Sequence, residues 1–330
     1  MIREQSESES SVTQNQLPEL YGHSRKVYAL EYNADGSMLA SGSSDKTVRV
    51  WTNLSEKGVI EFRGHTDPIL SLAWDPTSLY RVSSTSSDKT VRVWDVKAGK
   101  IAQTVTLQNE AMNIVYSHDG KYIAVSNLDC VTLIETKKYR VVQRVVNPYE
   151  VNEIQFSRTG HFYVAAGHPT GHGMFEIMRV SCDGKGKPFL ENLHKVTAHA
   201  GSCFCLDFHP SGKFVALGSV DSLVSLWDLQ ELYCVRTFTV TSSSIRTVRF
   251  NHDGSYLAIG TKDSNIIVVL TETSEIACSV QLQNLLQYLC WHPKQNIFSY
   301  VGDKASDEKN ANRDGVIKSI KIASQESPIP

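Results

Sequence analysis

The chain has 330 residues, 41% of them hydrophobic, so it is long enough to bury a sizeable core. Its 33 Lys and Arg residues nearly balance 35 Asp and Glu residues. The resulting net charge of −2 argues against a dedicated nucleic-acid binder, which usually carries a basic excess. No apolar run approaches the roughly 18 residues that a membrane-spanning helix needs.

The N-terminal segment, residues 1–16, is polar and rich in Ser, Glu and Gln, and it lacks the apolar core of a secretory signal. The seven cysteines show no paired spacing, which is typical of reduced thiols in the cytosol or nucleus. We expect residues 1–15 and 323–330 to be disordered tails.

Two segments of the chain repeat one another. Leu39–Trp51 reads LASGSSDKTVRVW and Val82–Trp94 reads VSSTSSDKTVRVW, and their shared run SDKTVRVW recurs after 43 residues. Gly218–Asp228 (GSVDSLVSLWD) is a weaker third copy. Each copy joins a Ser/Asp turn to an alternating apolar pattern, which predicts a β-strand after a tight turn.

A second repeated feature is an aromatic residue that ends a short apolar strand and precedes a turn. Its instances are spaced by 42, 42, 40, 52, 42 and 41 residues, at Tyr32, Trp74, Tyr116, Phe156, Phe208, Phe250 and Trp291. A period of about 40–45 residues is that of a four-stranded propeller blade. On these signals the chain resembles the WD-repeat proteins. The resemblance implies an all-β fold, a seven-bladed WD-repeat β-propeller over residues 16–322.

Closure of such a ring requires the first and last blades to share strands, because an open ring would expose sheet edges. The last strand, Val316–Ile322, lacks a following outer strand. We therefore predict that Gln16–Gly22 supplies it. The spacing of 52 indicates a turn-rich insertion around Gly167–Ala198, and the charged segment Asp303–Asp314 predicts a mobile loop in the seventh blade.

The first two blades carry His, Ser, Asp and Trp at matching offsets, namely His23, Ser41, Asp45, Trp51, His65, Ser84, Asp88 and Trp94. Ser, His and Asp together also suggest a hydrolase. In WD-repeat proteins, however, such residues form a buried hydrogen-bond chain within a blade, and their duplication argues against a single catalytic site. No GxSxG elbow, phosphate-binding loop or dinucleotide fingerprint in a strand–helix context is present. We predict a non-enzymatic protein with no catalytic residues, cofactor or metal site.

The remaining blades depart from this pattern. The fifth keeps His199, Asp221 and Trp227 but has Leu217 at the serine offset, and the third has Ile134 where Trp would end the strand. We expect these blades to depend more on apolar packing.

Two small clusters have a structural and a functional interpretation. His161, His168 and His172 invite a metal site, but their spacing fits no zinc motif, and glycine-rich turns often carry histidine. Cys203 and Cys205 lie two apart on a strand, so we expect them to share one face as small buried residues.

A third cluster, Lys137, Lys138 and Arg140, indicates a solvated outer strand, with a phosphate contact as the alternative. Binding sites of propellers lie mostly on loops at the rim of one face. Counting back six residues from each aromatic gives the candidate partner-binding positions Lys26, Pro68, Glu110, Glu150, Ser202, Ser244 and Leu285. Glu110 and Glu150 fall in adjacent blades, where they form either an acidic patch for a basic segment or two independent solvated carboxylates.

Several longer stretches resemble one family more closely, the WD-repeat subunits of THO complexes. These stretches are Glu150–Phe156, Asp221–Phe238, Ile245–Gly254, Trp291–Lys294 and Asp314–Val316. The resemblance implies a nuclear scaffold that couples transcription to mRNA packaging and export. Its partners would be other THO/TREX subunits, chiefly the large helical ones, with RNA contact mostly indirect. The long insertion after the fourth blade departs from this family.

Two other functions stay open. One is a chromatin or signalling adaptor that binds a basic peptide on the propeller rim, and the other is an enzyme that uses the propeller as a scaffold.

Overall fold

The computed structural model describes residues 14–167, 170–302 and 315–323, and every regular element in these ranges is a β-strand. The strands form seven antiparallel sheets of four strands each. No helix within the described ranges is long and apolar enough to cross a membrane. The predicted seven-bladed, all-β propeller is therefore confirmed.

We number the blades in chain order of their first strands. Blade 1 consists of β2 (Val27–Tyr32), β3 (Met38–Ser43), β4 (Thr47–Thr52) and β5 (Ile60–Arg63). Blade 2 consists of β6 (Ile69–Trp74), β7 (Arg81–Ser86), β8 (Thr90–Asp95) and β9 (Lys100–Thr106). Blade 3 consists of β10 (Asn113–Tyr116), β11 (Tyr122–Ser126), β12 (Cys130–Glu135) and β13 (Arg140–Val146). Blade 4 consists of β14 (Glu150–Phe156), β15 (His161–Gly167), β16 (Gly173–Cys182) and β17 (Pro188–His199). Blade 5 consists of β18 (Cys203–Phe208), β19 (Phe214–Ser219), β20 (Val224–Asp228) and β21 (Cys234–Phe238). Blade 6 consists of β22 (Ile245–Phe250), β23 (Tyr256–Thr261), β24 (Asn265–Leu270) and β25 (Ile276–Gln281). Blade 7 consists of β26 (Tyr288–Trp291), β27 (Ile297–Val301), β28 (Ile317–Ile322) and β1 (Gln14–Gln16).

The N-terminal segment closes the ring, as predicted, but the paired strand is Gln14–Gln16 rather than Gln16–Gly22. β1 pairs with β28, and Leu20 forms a further bridge to Ile317. The pairing begins at Gln14, so Gln14 and Asn15, which were predicted to lie in a disordered tail, belong to the sheet. Residues 1–13 and 324–330 and the predicted insertion 303–314 lie outside the described residues.

The two faces of the ring follow from strand direction. Because the strands of a blade alternate in direction, the turns after its first and third strands lie on one face. The turns after the second strand and the connections to the next blade lie on the other, which we call the rim face. It includes Lys26, whose carbonyl accepts the backbone N–H of Ser44 in the turn between β3 and β4.

The aromatic residues that end the first strands join neighbouring blades. Six of the seven are buried, and Phe208 is half-buried. The indole N–H of Trp74 donates to the carbonyl of Glu31 in the preceding blade at 2.9 Å, and that of Trp291 donates to Arg249 at 2.9 Å. The repeated aromatic therefore marks a contact between blades, which explains its regular spacing.

A charged network crosses the inner strands of blades 4 to 7. The Arg249 guanidinium lies 2.6 Å from Glu153, two blades away, and also donates to the Tyr288 hydroxyl at 3.3 Å. Asp207 accepts the backbone N–H of Phe250 at 2.7 Å. These contacts connect residues that are far apart in sequence, and they stiffen the ring.

The predicted turn-rich insertion of Gly167–Ala198 is mostly strand. β16 and β17 form a hairpin that continues past His161, where β15 begins, as far as the pair Cys182–Pro188. The glycine-rich sequences lie at its two ends, whereas the residues between them remain paired as strands, with two irregularities in register. The prediction of turns was therefore right only for the ends of this segment.

Candidate partner-binding face

Blades 1 and 2 each contain a buried hydrogen-bond chain. His23 Nδ1 lies 2.9 Å from the Asp45 carboxylate and Nε2 lies 2.8 Å from Ser41 Oγ, which accepts the Trp51 indole N–H at 2.8 Å. An ionised carboxylate only accepts, so Nδ1 carries the proton and Nε2 accepts the serine hydroxyl. In blade 2 the matching His65 distances are 2.7 Å to both Asp88 and Ser84.

This geometry has the atom order of a hydrolase triad, but it lacks access to a substrate. Ser41 and Ser84 have 0% exposure, and each hydroxyl oxygen is occupied by a tryptophan N–H. Every member of the chain has a partner, which is the condition under which a buried polar network stabilises a fold. The arrangement holds strands together within a blade.

Blade 5 contains the same chain with its serine on a different strand. His199 Nε2 lies 2.6 Å from Ser225 Oγ, and Trp227 Nε1 donates to that oxygen at 2.8 Å. His199 Nδ1 lies 3.1 Å from Asp221. The expectation that this blade lacks the serine was wrong, because the serine lies on β20 at the position that pairs with Leu217 of β19.

Burial and hydrogen bonding shift the charge states of these chains. Burial lowers the pKa of His23 and of His65, although the neighbouring aspartates oppose it. Burial acts to raise the pKa of Asp45, but hydrogen bonds from His23 and Thr47 outweigh it and leave the pKa below its usual value. The folded protein therefore favours neutral imidazole beside ionised carboxylate.

The candidate partner-binding residues divide by exposure. Lys26, Glu110, Glu150 and Leu285 are exposed on the rim face. Ser202, Ser244 and Pro68 are only partly exposed. The Ser244 hydroxyl donates to the Val220 carbonyl at 3.1 Å, and the Ser202 carbonyl accepts the Val220 N–H at 3.1 Å. Ser202 and Ser244 thus hold the turn at Val220 by hydrogen bonds. The four exposed residues remain accessible to a partner.

Exposed apolar side chains accompany the two glutamates on blades 3 and 4. Met112 is 44% exposed, Leu128 is 54% exposed and Val146 is 64% exposed. They lie on the rim face, since Leu128 is in the turn between β11 and β12 and Val146 pairs with the residue that follows that turn. We call Glu110, Met112, Leu128, Val146 and Glu150 the blade 3–4 patch. Its glutamates were predicted from the sequence, but its apolar members were not.

A cavity of about 220 Å³ lies beside this patch, lined in part by Leu107, Glu110, Val125, Val141 and Arg144. Leu107 occupies the position that corresponds to the histidines of blades 1 and 2. In blades 1 and 2 the equivalent region is filled by the histidine of the hydrogen-bond chain. In blade 3 this histidine is absent, and the cavity lies in its place.

The histidine and basic clusters predicted from the sequence make ordinary local contacts. His161 Nδ1 lies 3.1 Å from Thr159 Oγ1, and His168 is outside the described residues. Within residues 14–167, 170–302 and 315–323, no group of three His, Cys, Asp or Glu side chains is placed to hold a metal ion. Arg140 Nε donates to Glu135 at 3.1 Å, and Lys137 and Lys138 are exposed on the face opposite the rim face.

Cys203 and Cys205 are both buried, but they do not share a face. Their β19 partners are the adjacent residues Ser219 and Gly218, because a β-bulge separates the two cysteines. Cys203 packs in the apolar cluster towards blade 4 and Cys205 in the cluster towards blade 6. The prediction of a common face was therefore wrong.

Comparison with known proteins agrees with this architecture. The WD domain, G-beta repeat family matches residues 14–52, 56–95, 190–228 and 232–269. THO complex subunit 3 of Arabidopsis thaliana is 36% identical over 306 residues, which cover 91% of this chain and 93% of that protein. The chain belongs to the THO complex subunit 3 family of WD-repeat proteins.

Two further similarities extend this assignment. WD repeat-containing protein AAC3 of Dictyostelium discoideum is 28% identical over 312 residues, covering 88% of this chain and 64% of that protein. The β-propeller domain of Cps50 (Swd1) from Myceliophteria thermophila superposes with a TM-score of 0.76 at 18% identity, covering 94% of this chain and all of that domain. This structural likeness supports the propeller fold of the chain.

Proposed function

We propose that the chain is a non-enzymatic scaffold subunit of a THO/TREX-like nuclear assembly that couples transcription to mRNA packaging and export. The 36% identity with THO complex subunit 3 over nearly the full length of both chains is the observation that carries this proposal. The buried serines of the hydrogen-bond chains support a scaffold rather than a hydrolase.

The blade 3–4 patch is the proposed centre of the docking surface. Its exposed Met112, Leu128 and Val146 supply apolar area, and Glu110 and Glu150 supply charge at its border. Apolar centres with polar rims are typical of protein interfaces. Lys26 and Leu285 extend the rim face on blades 1 and 7, while Ser202 and Ser244 hold its shape.

The closed ring makes this surface efficient for binding. The turns that carry the patch are fixed by backbone hydrogen bonds, such as the one from the Val151 N–H to the Leu128 carbonyl at 2.7 Å. A surface that is already ordered loses little conformational entropy when a partner binds. The large helical THO subunits are the proposed partners, with RNA reached mostly through the assembly.

Affinity purification with mass spectrometry tests the proposal. A rim variant combines K26E, E110K, E150K and L285D, all at exposed positions. We expect the wild-type chain to recover the large THO subunits, and the folded rim variant to lose them. Cells that depend on the rim variant should accumulate polyadenylated RNA in the nucleus.

A control variant carries matched changes elsewhere on the ring, K57E, E231K, E272K and V235D, also at exposed positions. It should recover the THO subunits as the wild type does. Normal recovery by the rim variant would place docking on another surface. Recovery of histones or signalling proteins in place of THO subunits would support the basic-peptide adaptor and contradict the proposed assembly.

A further inference from the structure

Two neighbouring turns on the face opposite the rim face each carry two exposed lysines. Lys137 and Lys138 lie in the turn between β12 and β13 of blade 3, and Lys185 and Lys187 lie in the turn between β16 and β17 of blade 4. We call these four residues the lysine surface. Both turns follow third strands, so they project from the same face of the ring.

Packing of the blade 4 hairpin brings the two turns together. Leu190 in β17 donates its backbone N–H to Gln143 Oε1 of β13 at 2.5 Å. Val180 and Leu190 pack in one apolar cluster with Tyr122 and Val142 of blade 3. The hairpin is the longest in the described ring. It packs against blade 3, and its tip lies beside that blade.

The acidic side chains of this region are already engaged. Asp119 pairs with Lys121 at 2.9 Å, Glu135 with Arg140 at 3.1 Å, and Glu191 with Arg179 at 2.8 Å. Asp183 accepts the backbone N–H groups of Lys185 and Lys187, which orders the tip. In the described part of the chain no carboxylate lies within ion-pair distance of the lysine surface, so the area is locally basic within a chain of net charge −2.

A groove of about 470 Å³ adjoins this surface between blades 2 and 3. Arg81, Lys121 and Lys137 line it together with the rings of Tyr122 and Tyr139. Two carboxylates, Asp75 and Glu135, also line it, and each is paired with an arginine, Arg81 at 3.4 Å and Arg140 at 3.1 Å. Its volume lies within the range of about 300–1,000 Å³ that is usual for ligand sites. The groove therefore joins cationic groups to aromatic rings in a space that accommodates a planar base.

We propose that the lysine surface and this groove bind single-stranded RNA through its phosphate backbone, with an unpaired base against Tyr139. Lysines recognise phosphates as point charges, and aromatic rings stack on bases irrespective of sequence. An acidic peptide would engage the lysines but would leave the rings without a role, so the observations favour nucleic acid. The inference stands apart from the proposed THO docking, since it concerns the purified chain and the other face.

Fluorescence anisotropy with a labelled oligouridine of about 15 nucleotides tests this inference, because single-strand sites span about 4–16 nucleotides. We expect saturable binding whose logarithmic salt slope is about −3, since each phosphate contact adds about −0.7. The variant K137Q/K138Q/K185Q/K187Q should bind at least about tenfold more weakly, with a slope near zero. Y139L, which keeps an apolar side chain, should weaken binding about fivefold or more.

The control variant K46Q/K57Q/K89Q/K262Q removes the same charge from exposed positions outside the lysine surface and should bind as the wild type does. The inference is overturned if the wild type does not bind oligouridine, if both quadruple variants lose affinity equally, or if polyglutamate competes as well as RNA while Y139L has no effect. Recovery of THO subunits by the lysine-surface variant should stay normal, which separates failure here from failure of the proposed assembly.

Discussion

Leu217 and Ser225 face one another across the paired strands β19 and β20 of blade 5. The matching pair in blade 1 is Ser41 and Arg49. Residues that oppose each other in an antiparallel pair project to the same side. The serine of blade 5 therefore lies on the neighbouring strand but projects into the same site. Ser225 forms the hydrogen bonds to histidine and tryptophan that Ser41 forms in blade 1.

Ser225→Ala is expected to destabilise the protein by about 1–3 kcal/mol, because it leaves His199 Nε2 and Trp227 Nε1 without a buried partner. In a Leu217→Ser background the same change should cost less, since a hydroxyl at position 217 can replace the lost one. Denaturant unfolding of the four proteins in this double-mutant cycle measures the coupling. Equal costs in both backgrounds would show that the two positions are not interchangeable.

Changes in the blade 2 chain should destabilise the fold to different extents. Asp88→Ala removes the acceptor of His65 and of the Thr66 N–H, with an expected cost of about 1–3 kcal/mol. Trp94→Ala removes a side chain that is only 1% exposed, and it should lower the free energy of unfolding by about 3–5 kcal/mol. The exposed Lys57→Ala is the control. Unchanged thermal unfolding of both variants would refute the structural role of the chain.

Acid should destabilise the ring in two steps. Burial holds the pKa of His23 and His65 below the ordinary 6.5, so the unfolded chain binds more protons as the pH falls below about 6.5, and stability decreases. A second loss follows below about 3.8, the ordinary value of Asp45 and Asp88, whose pKa is lowered in the folded state. The melting temperature Tm should fall between pH 7 and pH 5, and less steeply in His65→Asn. The matched control His118→Asn, on the surface of blade 3, should keep the wild-type slope.

Arg249→Met should destabilise the protein by about 3–5 kcal/mol, because it leaves Glu153 as an uncompensated, largely buried charge on the inner strands. The side chains of Arg249 and Glu153 are only 13% and 18% exposed. Arg179→Met, which breaks an exposed ion pair with Glu191, is the control and should cost about 0–1 kcal/mol. Similar urea midpoints for the two variants would contradict the importance of the charged network on the inner strands of blades 4 to 7.

The number of blades was predictable because its signal is periodic. Each aromatic landmark sits at a contact between blades, as Trp74 does with Glu31, so the repeat of the structure appears directly in the sequence. Closure by the N-terminal strand was predictable for a similar reason, since the last strand required an outer neighbour.

Features that depend on pairing across strands or blades escaped the sequence analysis. Ser225 lies two residues before Trp227, but its role follows from the register with Leu217. The faces of Cys203 and Cys205 depend on one bulge, and the Glu153–Arg249 pair joins residues 96 positions apart. The blade 3–4 patch combines residues from three separate turns and connections, so no local pattern indicates it.

Hydrogen–deuterium exchange on the chain, alone and reconstituted with the large THO subunits, can locate the docking face. We expect slower exchange in residues 107–112, 127–131 and 146–151, which carry or adjoin the blade 3–4 patch. The turns at residues 136–139 and 183–187, on the other face, should keep the exchange rates of the free chain. Protection confined to those two turns, with none at the patch, would contradict the proposed docking face.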